Sequence, residues 1–461
     1  MRLQPTPRKL LSALILSLAL ASAARAQEPS TPEELRAALL ALQADVAQLK
    51  AQGAAAERLA ELERRLDLLA AEIEKQRTGG ASGATDDSAA RVPGFAPGAA
   101  KVYHVAQGVS LGGYGEALYQ NFAAARQDGR PANRTDQLDF VRAVVYVGYK
   151  FSDRILFNSE LEFEHATTGE GAEEKGEASV EFGYLEFKPW KSVGLRAGLL
   201  LMPVGFVNEL HEAPVFHGAR RPQVEQSIIP TTWRENGAGV FGSTGAFEWR
   251  AYAVAGLDSA GFEGSGIREG RQGGSESKAD DLAFTGRLDF TGVPGLLVGA
   301  SVFTGNSGQG ATVDSRELGA RVTLLEGHLQ YEHRGFQLRA LAARTRLGDA
   351  ALINARNGLA GAESVGERQY GWYVQAAYDV MTLAPRGQWS VTPFVRYEKL
   401  DTQQRVPPGF ARDPANARSL LTAGVGVKPL PNVVLKADFQ RGTNAARNGV
   451  NQFNLAVGYL F

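Results

Sequence analysis

The segments SVGLRAGLLLM (192–202) and NGAGVFG (236–242) share an alternating pattern and are separated by a long interval. In the first segment every second residue from Val193 to Leu201 is apolar, whereas Arg196 and two glycines lie on the opposite face. Side chains of a β-strand point alternately to two faces, so this period of two predicts a pair of strands. The interval between them, residues 203–233, must then be an unusually long loop.

The chemistry of this loop is too mixed for a passive connector. Phe206 and Phe216 lie among charged and polar residues, namely Glu209, His211, Glu212, His217, Arg220, Arg221 and Glu225. If the flanking strands belong to a closed barrel, we expect the loop to fold inward and narrow the lumen. We call residues 203–233 the constriction loop.

Residues 1–26 have the features of a secretory signal peptide. Arg2, Arg8 and Lys9 precede the apolar run LLSALILSLALA, and Ala24-Arg25-Ala26 forms a small-residue cleavage site. The run is shorter than the roughly 20 apolar residues that a membrane anchor needs. Four of the 49 basic residues and none of the 50 acidic ones lie here, so the mature chain is acidic by about five charges. This balance argues against nucleic-acid binding, and the absence of cysteine excludes disulfides and thiol sites.

Residues 31–76 predict an α-helical coiled coil. From Leu35 to Leu49, and again from Leu59 to Ile73, apolar residues recur at alternating intervals of four and three. A helix with so narrow an apolar stripe gains little alone, so we favour a self-associating stalk over a solitary amphipathic helix. Residues 77–106, rich in Gly, Ala, Ser and Pro, are predicted to be a linker.

From residue 107 onward the pattern is that of short alternating segments. We predict sixteen strands, at 108–123, 137–151, 154–165, 178–188, 192–202, 234–242, 246–256, 282–291, 295–304, 315–332, 335–347, 367–381, 388–401, 417–428, 432–442 and 450–461. Tight turns such as Ser152-Asp153 alternate with long Gly-rich connections such as 257–281. An up-and-down membrane barrel predicts this alternation, whereas a soluble Greek-key sandwich does not.

The strand faces agree with a barrel in lipid. In the last strand Phe453, Leu455, Val457, Tyr459 and Phe461 share one face, and polar or small residues occupy the other. The predicted fold is therefore all-β: a 16-stranded antiparallel transmembrane β-barrel at 107–461, with an N-terminal α-helical coiled-coil segment. Phe461 and Tyr459 are expected to face lipid and to serve as the assembly signal, with the last strand pairing to the first near 111–119.

Three motifs resemble the phosphate-selective porin O and P family of Gram-negative outer membranes. They are Gly113-Tyr114-Gly115-Glu116, the segment EFGYLEFKPWKSVGLRAGLLLMPVGFVNE (181–209) and IIPTTWRENGAGVFG (228–242). The resemblance implies a passive channel in the outer membrane for small hydrophilic solutes or ions, including anions such as phosphate, with the N-terminal segment in the periplasm. It also implies a homotrimer, contact with outer-membrane lipid and lipopolysaccharide, and insertion by the barrel assembly machinery, without cofactor or nucleic acid.

Two other functions stay open: an outer-membrane barrel enzyme of the lipase or protease type, and a structural or tethering barrel. The chain has no G-x-S-x-G or comparable nucleophile motif, so we expect no enzyme activity. His211 and His217 match no standard metal-ligand spacing, and we expect no metal site.

Alternation also predicts which charges point inward. The basic set is Arg142, Lys150, Arg196, Arg250, Arg287, Arg321, Arg339, Arg396, Lys428 and Lys436. The acidic set is Glu160, Glu162, Glu164, Glu181, Glu248, Asp289, Glu317, Asp379, Glu398 and Asp438. We weigh a solvated salt-bridge network against a transverse field in which Glu209, Glu212 and Glu225 face wall arginines and Arg220-Arg221 form the opposite pole.

Overall fold

The computed structural model describes residues 92–166, 176–384 and 388–461. Sixteen antiparallel strands close into one barrel, which confirms the predicted fold. The strands are β1 Gly108–Arg126, β2 Gln137–Ser152, β3 Ile155–Glu164, β4 Ala178–Trp190, β5 Val193–Leu201, β6 Arg234–Thr244, β7 Phe247–Ala255, β8 Leu282–Val293, β9 Leu296–Gly305, β12 Val322–His333, β13 Phe336–Leu347, β14 Arg368–Tyr378, β15 Ser390–Arg405, β16 Ala417–Leu430, β17 Val433–Asn444 and β18 Val450–Leu460. A small separate hairpin is formed by β10 Thr312–Val313 and β11 Arg316–Glu317. The helices are α1 Pro97–His104, α2 Val224–Ser227 and α3 Ala350–Asn357.

The barrel closes between its first and last strands. Tyr114 pairs with Leu460 and Tyr119 with Leu455, and the Gly113 and Phe461 backbones exchange two hydrogen bonds of 2.9 Å. Gly113 must lack a side chain, because an added Cβ would lie 2.6 Å from the Phe461 ring. The Phe461 side chain is exposed on the outer face, as is that of Tyr459.

Short and long connections lie at opposite ends of the barrel. The two-residue links between β2 and β3 and between β16 and β17 are at the end where β1 begins and β18 finishes, which we call the turn end. The constriction loop and the connection 256–281 start from the other end, the loop end. In the described part of the chain no helix is long and apolar enough to cross a membrane.

The outer face is apolar along its strands. Exposed residues include Leu111, Leu185, Leu195, Leu288, Leu325, Leu435, Phe439 and Leu455. Each alternates along its strand with inward residues, as in β18, where exposed Leu455 follows fully buried Asn454. A surface with so many exposed large apolar side chains suits lipid rather than water.

One predicted strand was wrong. Residues 315–332 do not run as a single strand, because Asp314, Ser315 and Ala320 have φ between 47° and 62° and interrupt the extended chain. The hairpin β10–β11 holds exposed Glu317 away from the wall, and β12 begins only at Val322. Arg321 shares the parity of Leu325, which is 56% exposed, so Arg321 lies on the outer side rather than in the lumen.

The interior contains an apolar core as well as charges. Wall residues Tyr114, Tyr146, Phe182 and Tyr184 belong to the same buried cluster as Met202 and the constriction-loop residues Phe206, Val207, Val224, Ile228, Ile229 and Trp233. Val322 and Leu324 point into this cluster. In sequence, an inward apolar residue looks the same as one that faces lipid, and this is why Arg321 was wrongly predicted to point into the lumen.

The residues just before the barrel also enter the lumen. Residues 92–106, which we call the plug segment, contain α1 and lie inside the turn end against β1 to β3, with Phe95 and Val102 buried. The Asn158 side-chain amide donates to the Ala99 carbonyl at 2.9 Å. This part of the predicted linker 77–106 is therefore ordered structure. The predicted signal peptide 1–26 and coiled coil 31–76 lie outside the described residues.

Candidate functional site

The constriction loop is tied together by two buried side chains. The Asn208 amide donates to the Met202 and Trp233 carbonyls at 2.7 and 2.9 Å and accepts from the Trp233 amide, so it joins the two ends of the loop. Glu225 accepts from the Phe206 and Val207 amides at 2.8 and 2.6 Å.

Glu225 also links the loop to the wall, because its second oxygen accepts from the Tyr373 hydroxyl at 2.7 Å. In the transverse-field hypothesis Glu225 faces wall arginines, whereas its hydrogen-bond partners in the structure are backbone amides and Tyr373. Its carboxylate accepts hydrogen bonds from backbone amides that would otherwise be buried without partners.

Glu209 is the loop acid that meets wall arginines. One oxygen lies 3.2 Å from Arg250 Nε and the other 3.6 Å from Arg287 Nη1. Both arginines also pair with Asp289, which in turn contacts His328 at 2.9 Å. Buried ion pairs of this kind cost much to break because a lone charge would be left in the interior. The cluster holds the first part of the loop against β7, β8 and β12.

Glu212 bonds to backbone instead of arginine. Its Oε1 accepts from the Gly98 and Ala99 amides at 2.9 and 3.3 Å, at the start of α1. Burial raises the pKa of Glu212 to about 7, and the Ala99 amide opposes part of that rise. The contact joins the constriction loop to the plug segment, an arrangement that the sequence analysis missed because 77–106 looked like a linker.

The two loop histidines point to different partners. His211 Nε2 contacts Glu160 at 3.0 Å, whereas His217 Nε2 contacts Gln337 at 2.7 Å. Burial lowers the pKa of His217 to about 3, so this ring is neutral. Across residues 92–166, 176–384 and 388–461 no group of three or more His, Asp or Glu side chains is placed to hold a metal ion.

A polar cavity of about 600 Å³, the loop-end vestibule, lies between the constriction loop, the connection 256–281 and the wall of β1 to β4 and β6. Its cationic lining consists of Arg142, Arg220, Arg221, Arg234, Arg268 and Arg271. Its acidic lining consists of Glu116, Asp139, Glu164, Glu177, Glu181 and Glu269. Equal counts of charge do not make the vestibule neutral everywhere, because only some of the arginines are paired.

Three of the six arginines have carboxylate partners. Arg142 lies 2.8 Å from Glu162, 3.5 Å from Glu116 and 3.6 Å from Glu164. Arg234 lies 2.6 Å from Glu181, and Arg268 lies 3.7 Å from Glu269. Glu160 and Glu162, which alternation predicted to point inward, are buried against His211 and Arg142.

The other three, Arg220, Arg221 and Arg271, form no ion pair with any carboxylate in the described part of the chain. Arg271 donates to the Thr232 carbonyl at 2.6 Å, and Arg221 Nη2 donates to the His211 carbonyl at 3.4 Å. The Arg221 Nε is buried without a hydrogen-bond partner. Arg268 and Arg271 were missed from the sequence, because nothing in a Gly-rich connection shows that it folds over the lumen.

The remaining predicted wall arginines lie on the interior side. Arg196 pairs with Glu186 at 2.8 Å, Arg396 pairs with Glu398 at 2.9 Å, and Arg339 lies over the Phe206 ring at 4.7 Å. These contacts brace the wall or the loop. Arg196 and Arg396 are buried and Arg339 is half-buried.

Comparison with known proteins gives one clear relative. No family model matches the chain. It is 38% identical over 376 residues, 80% of this chain and 83% of the other, to a protein of Aquifex aeolicus (strain VF5) described as uncharacterized.

Solved structures of three bacterial proteins also show some likeness to the chain. The loop L8 deletion mutant of Vibrio cholerae OmpT has a TM-score of 0.49 at 13% identity and covers 77% of this chain and 100% of its own. The outer-membrane channel DcaP of Acinetobacter baumannii has a TM-score of 0.49 at 11% identity, and the match covers 77% of this chain and 97% of that one. The anion-selective porin of Comamonas acidovorans has a TM-score of 0.46 at 13% identity, and the match covers 77% of this chain and 99% of that one. The 38% identity to the Aquifex aeolicus protein shows the family: this chain belongs to the family of that protein.

Proposed function

We propose that this protein is an outer-membrane channel of the porin type, through which small hydrophilic solutes diffuse, and that it favours anions. The observation that carries the proposal is the loop-end vestibule, a polar cavity inside a closed barrel with an apolar outer face. A barrel of this kind places its apolar face in lipid and its polar interior around an aqueous path.

The unpaired arginines support the anion preference. Among the acidic groups of the vestibule, Glu164, Glu177 and Glu181 lie 3.6, 3.9 and 2.6 Å from an arginine, and Asp139 lies 2.7 Å from His165. Glu116 and Glu269 also have arginine neighbours, at 3.5 and 3.7 Å. Five of the six vestibule carboxylates therefore have an arginine within ion-pair distance, whereas Arg220, Arg221 and Arg271 form no ion pair in the described part of the chain. The positive charge of these three arginines is thus the least compensated in the vestibule. A cluster of arginines in a narrow lumen attracts anions and supplies donors to them.

Reversal potentials in a KCl gradient test this proposal. We expect the reversal potential of the full-length protein in a planar bilayer to lie toward the equilibrium potential of chloride. The triple variant Arg220→Gln, Arg221→Gln, Arg271→Gln should shift it toward the equilibrium potential of potassium. The matched control is Arg346→Gln, which removes an exposed cation at the end of β13. Equal reversal potentials for the triple variant and the parent would overturn the anion assignment.

Phosphate is the anion that the sequence resemblance suggests. Adding inorganic phosphate to the chloride solution should reduce the chloride current of the parent more than that of the triple variant. A channel that conducts chloride without any effect of phosphate would keep the general anion preference and remove the phosphate one. Hydrolysis of lipid or peptide by the purified barrel would favour the enzyme alternative instead.

A further inference from the structure

Two cavities of the lumen meet at one aromatic side chain. The loop-end vestibule lies on one side of the constriction loop, and a cavity of about 60 Å³ lies on the other, toward the turn end, between the loop and β12 to β17. Lysines Lys428 and Lys436 line the second cavity. Among the described residues, Phe216 is the one that lines both.

The backbone around Phe216 is fastened to the wall. Lys436 Nζ donates to the Gly218 carbonyl at 2.9 Å, the Ala219 amide donates to Asp438 at 2.5 Å, and Arg396 donates to the His217 carbonyl at 3.1 Å. The Phe216 ring is 5% exposed, and the Lys436 ammonium lies 3.8 Å from its centroid. A side-chain rotation could therefore move the ring while the loop backbone stays in place.

A second route to the turn end, on the side of the plug segment, is blocked by more side chains. A cavity of about 90 Å³ beside the plug segment shares no lining residue with the loop-end vestibule. Phe95 and Tyr103 line this cavity, and the Phe95 ring centroid lies 5.3 Å from that of Tyr103 and 6.2 Å from that of Tyr184. The Arg196 guanidinium lies 4.5 Å from the Tyr184 ring. Passing there would require several packed side chains to move together.

We propose that the Phe216 ring is the gate of this channel: it separates the loop-end vestibule from the cavity on the turn-end side of the loop, and its displacement admits solutes. This inference rests on the proposed channel function. An apolar ring across a narrow passage excludes hydrated ions because the passage dewets. Once the ring swings aside, an anion that leaves Arg220 and Arg221 meets Lys436 next.

Single-channel recording of two phenylalanine variants tests the gate. We expect Phe216→Ala to raise the conductance severalfold over the parent. Phe206→Ala is the matched control, because Phe206 is also a buried aromatic of the constriction loop but lines none of the three cavities. Equal conductance of Phe216→Ala and the parent, or an equal rise in both variants, would overturn the gate.

A thiol at the same position gives an independent readout. The chain contains no cysteine, so Phe216→Cys carries one thiol. We expect a charged methanethiosulfonate reagent to add to it, seen by mass, from either chamber of the bilayer and to change the current in one step. An unreactive thiol in a conducting barrel would contradict the gate alone. Absence of current from the parent and from both alanine variants, each folded in detergent, would overturn the channel and the gate together.

Discussion

At the scale of single residues, the carboxylates of the constriction loop serve three different purposes. Glu209 pairs with two wall arginines, Glu212 accepts hydrogen bonds from amides at the start of α1, and Glu225 accepts hydrogen bonds from amides of its own loop. Sequence spacing could show that these acids lie in one loop within a barrel. It could not assign their partners, because the partners in the wall and in the plug segment are far away in the chain and the backbone amides carry no sequence signal.

Replacing Glu225 should loosen the constriction loop. Glu225→Ala leaves the Phe206 amide, the Val207 amide and the Tyr373 hydroxyl without their acceptor, at a cost of about 1–3 kcal/mol for each group left unsatisfied. We expect faster proteolytic cleavage within 203–233 while the barrel itself stays folded in detergent. Glu269→Ala, which removes a more exposed acid of a neighbouring connection, is the control. The same cleavage rate in both variants would show that Glu225 is not the fastener.

The Glu212 contact should weaken as the pH rises. Burial raises the pKa of this carboxyl from 4.5 to about 7, so the docked state binds a proton that the undocked state releases. Docking of α1 is therefore strongest below pH 4.5, declines between 4.5 and about 7, and is constant above that range.

Hydrogen exchange measures this change directly. After correction for intrinsic rates, protection of the Gly98 and Ala99 amides should fall severalfold across that range, and Glu212→Gln should abolish the dependence. The Gly113 amide, bonded to the Phe461 carbonyl, is the internal control and should show no such trend. Constant protection of Gly98 at all pH values would contradict the docking account.

At the scale of elements, the strands were the most predictable part. Their period of two and the alternation of tight and long connections follow from geometry that holds for any antiparallel barrel. The error at 315–332 arose because positive φ at Ala320, a residue other than glycine, has no reliable sequence signal. The plug segment was missed for a related reason: its burial depends on the inner surface of β1 to β3, which does not exist until the barrel closes.

Removing the plug segment should open a second path. Deletion of 27–106 leaves β1 to β18 intact but uncovers the inner faces of Tyr146 and Tyr184, and it loses the burial of Phe95 and Val102, about 1.5–3 kcal/mol for each side chain. We expect a lower melting temperature and a larger conductance than the parent. An unchanged conductance would mean that this half of the lumen stays closed without the segment.

The shorter deletion of 31–76 is the matched control for that experiment. It keeps the plug segment, so the conductance of each barrel should equal that of the parent. Because the predicted coiled-coil residues Leu59, Leu66 and Ile73 need partner helices, the heat resistance of the oligomer should nevertheless fall. If native mass measurements give a monomer with and without 31–76, the stalk and the homotrimer are both wrong.

At the scale of the whole molecule, the terminal strand closes the barrel by pairing with the first strand. Phe461 is exposed on the outer face at the turn end, and its backbone pairs with Gly113. One aromatic contributes only roughly 1.5–3 kcal/mol when buried, which a barrel of sixteen strands can absorb. Deleting Phe461 should therefore reduce outer-membrane levels in cells and leave the melting of detergent-refolded protein nearly unchanged. Equal levels of the deletion and the parent in cells would show that Phe461 is not the assembly signal.

Our central proposal, that the barrel carries anions across a membrane, draws on the apolar outer face, the closed strand order and the vestibule arginines that form no ion pair. The measurement that tests it most directly is the single-channel current of the refolded full-length protein in a planar bilayer under a KCl gradient. We expect discrete current steps whose reversal potential lies toward the equilibrium potential of chloride. A folded barrel that inserts yet carries no current, even with Phe216→Ala, or that reverses on the potassium side, would contradict it.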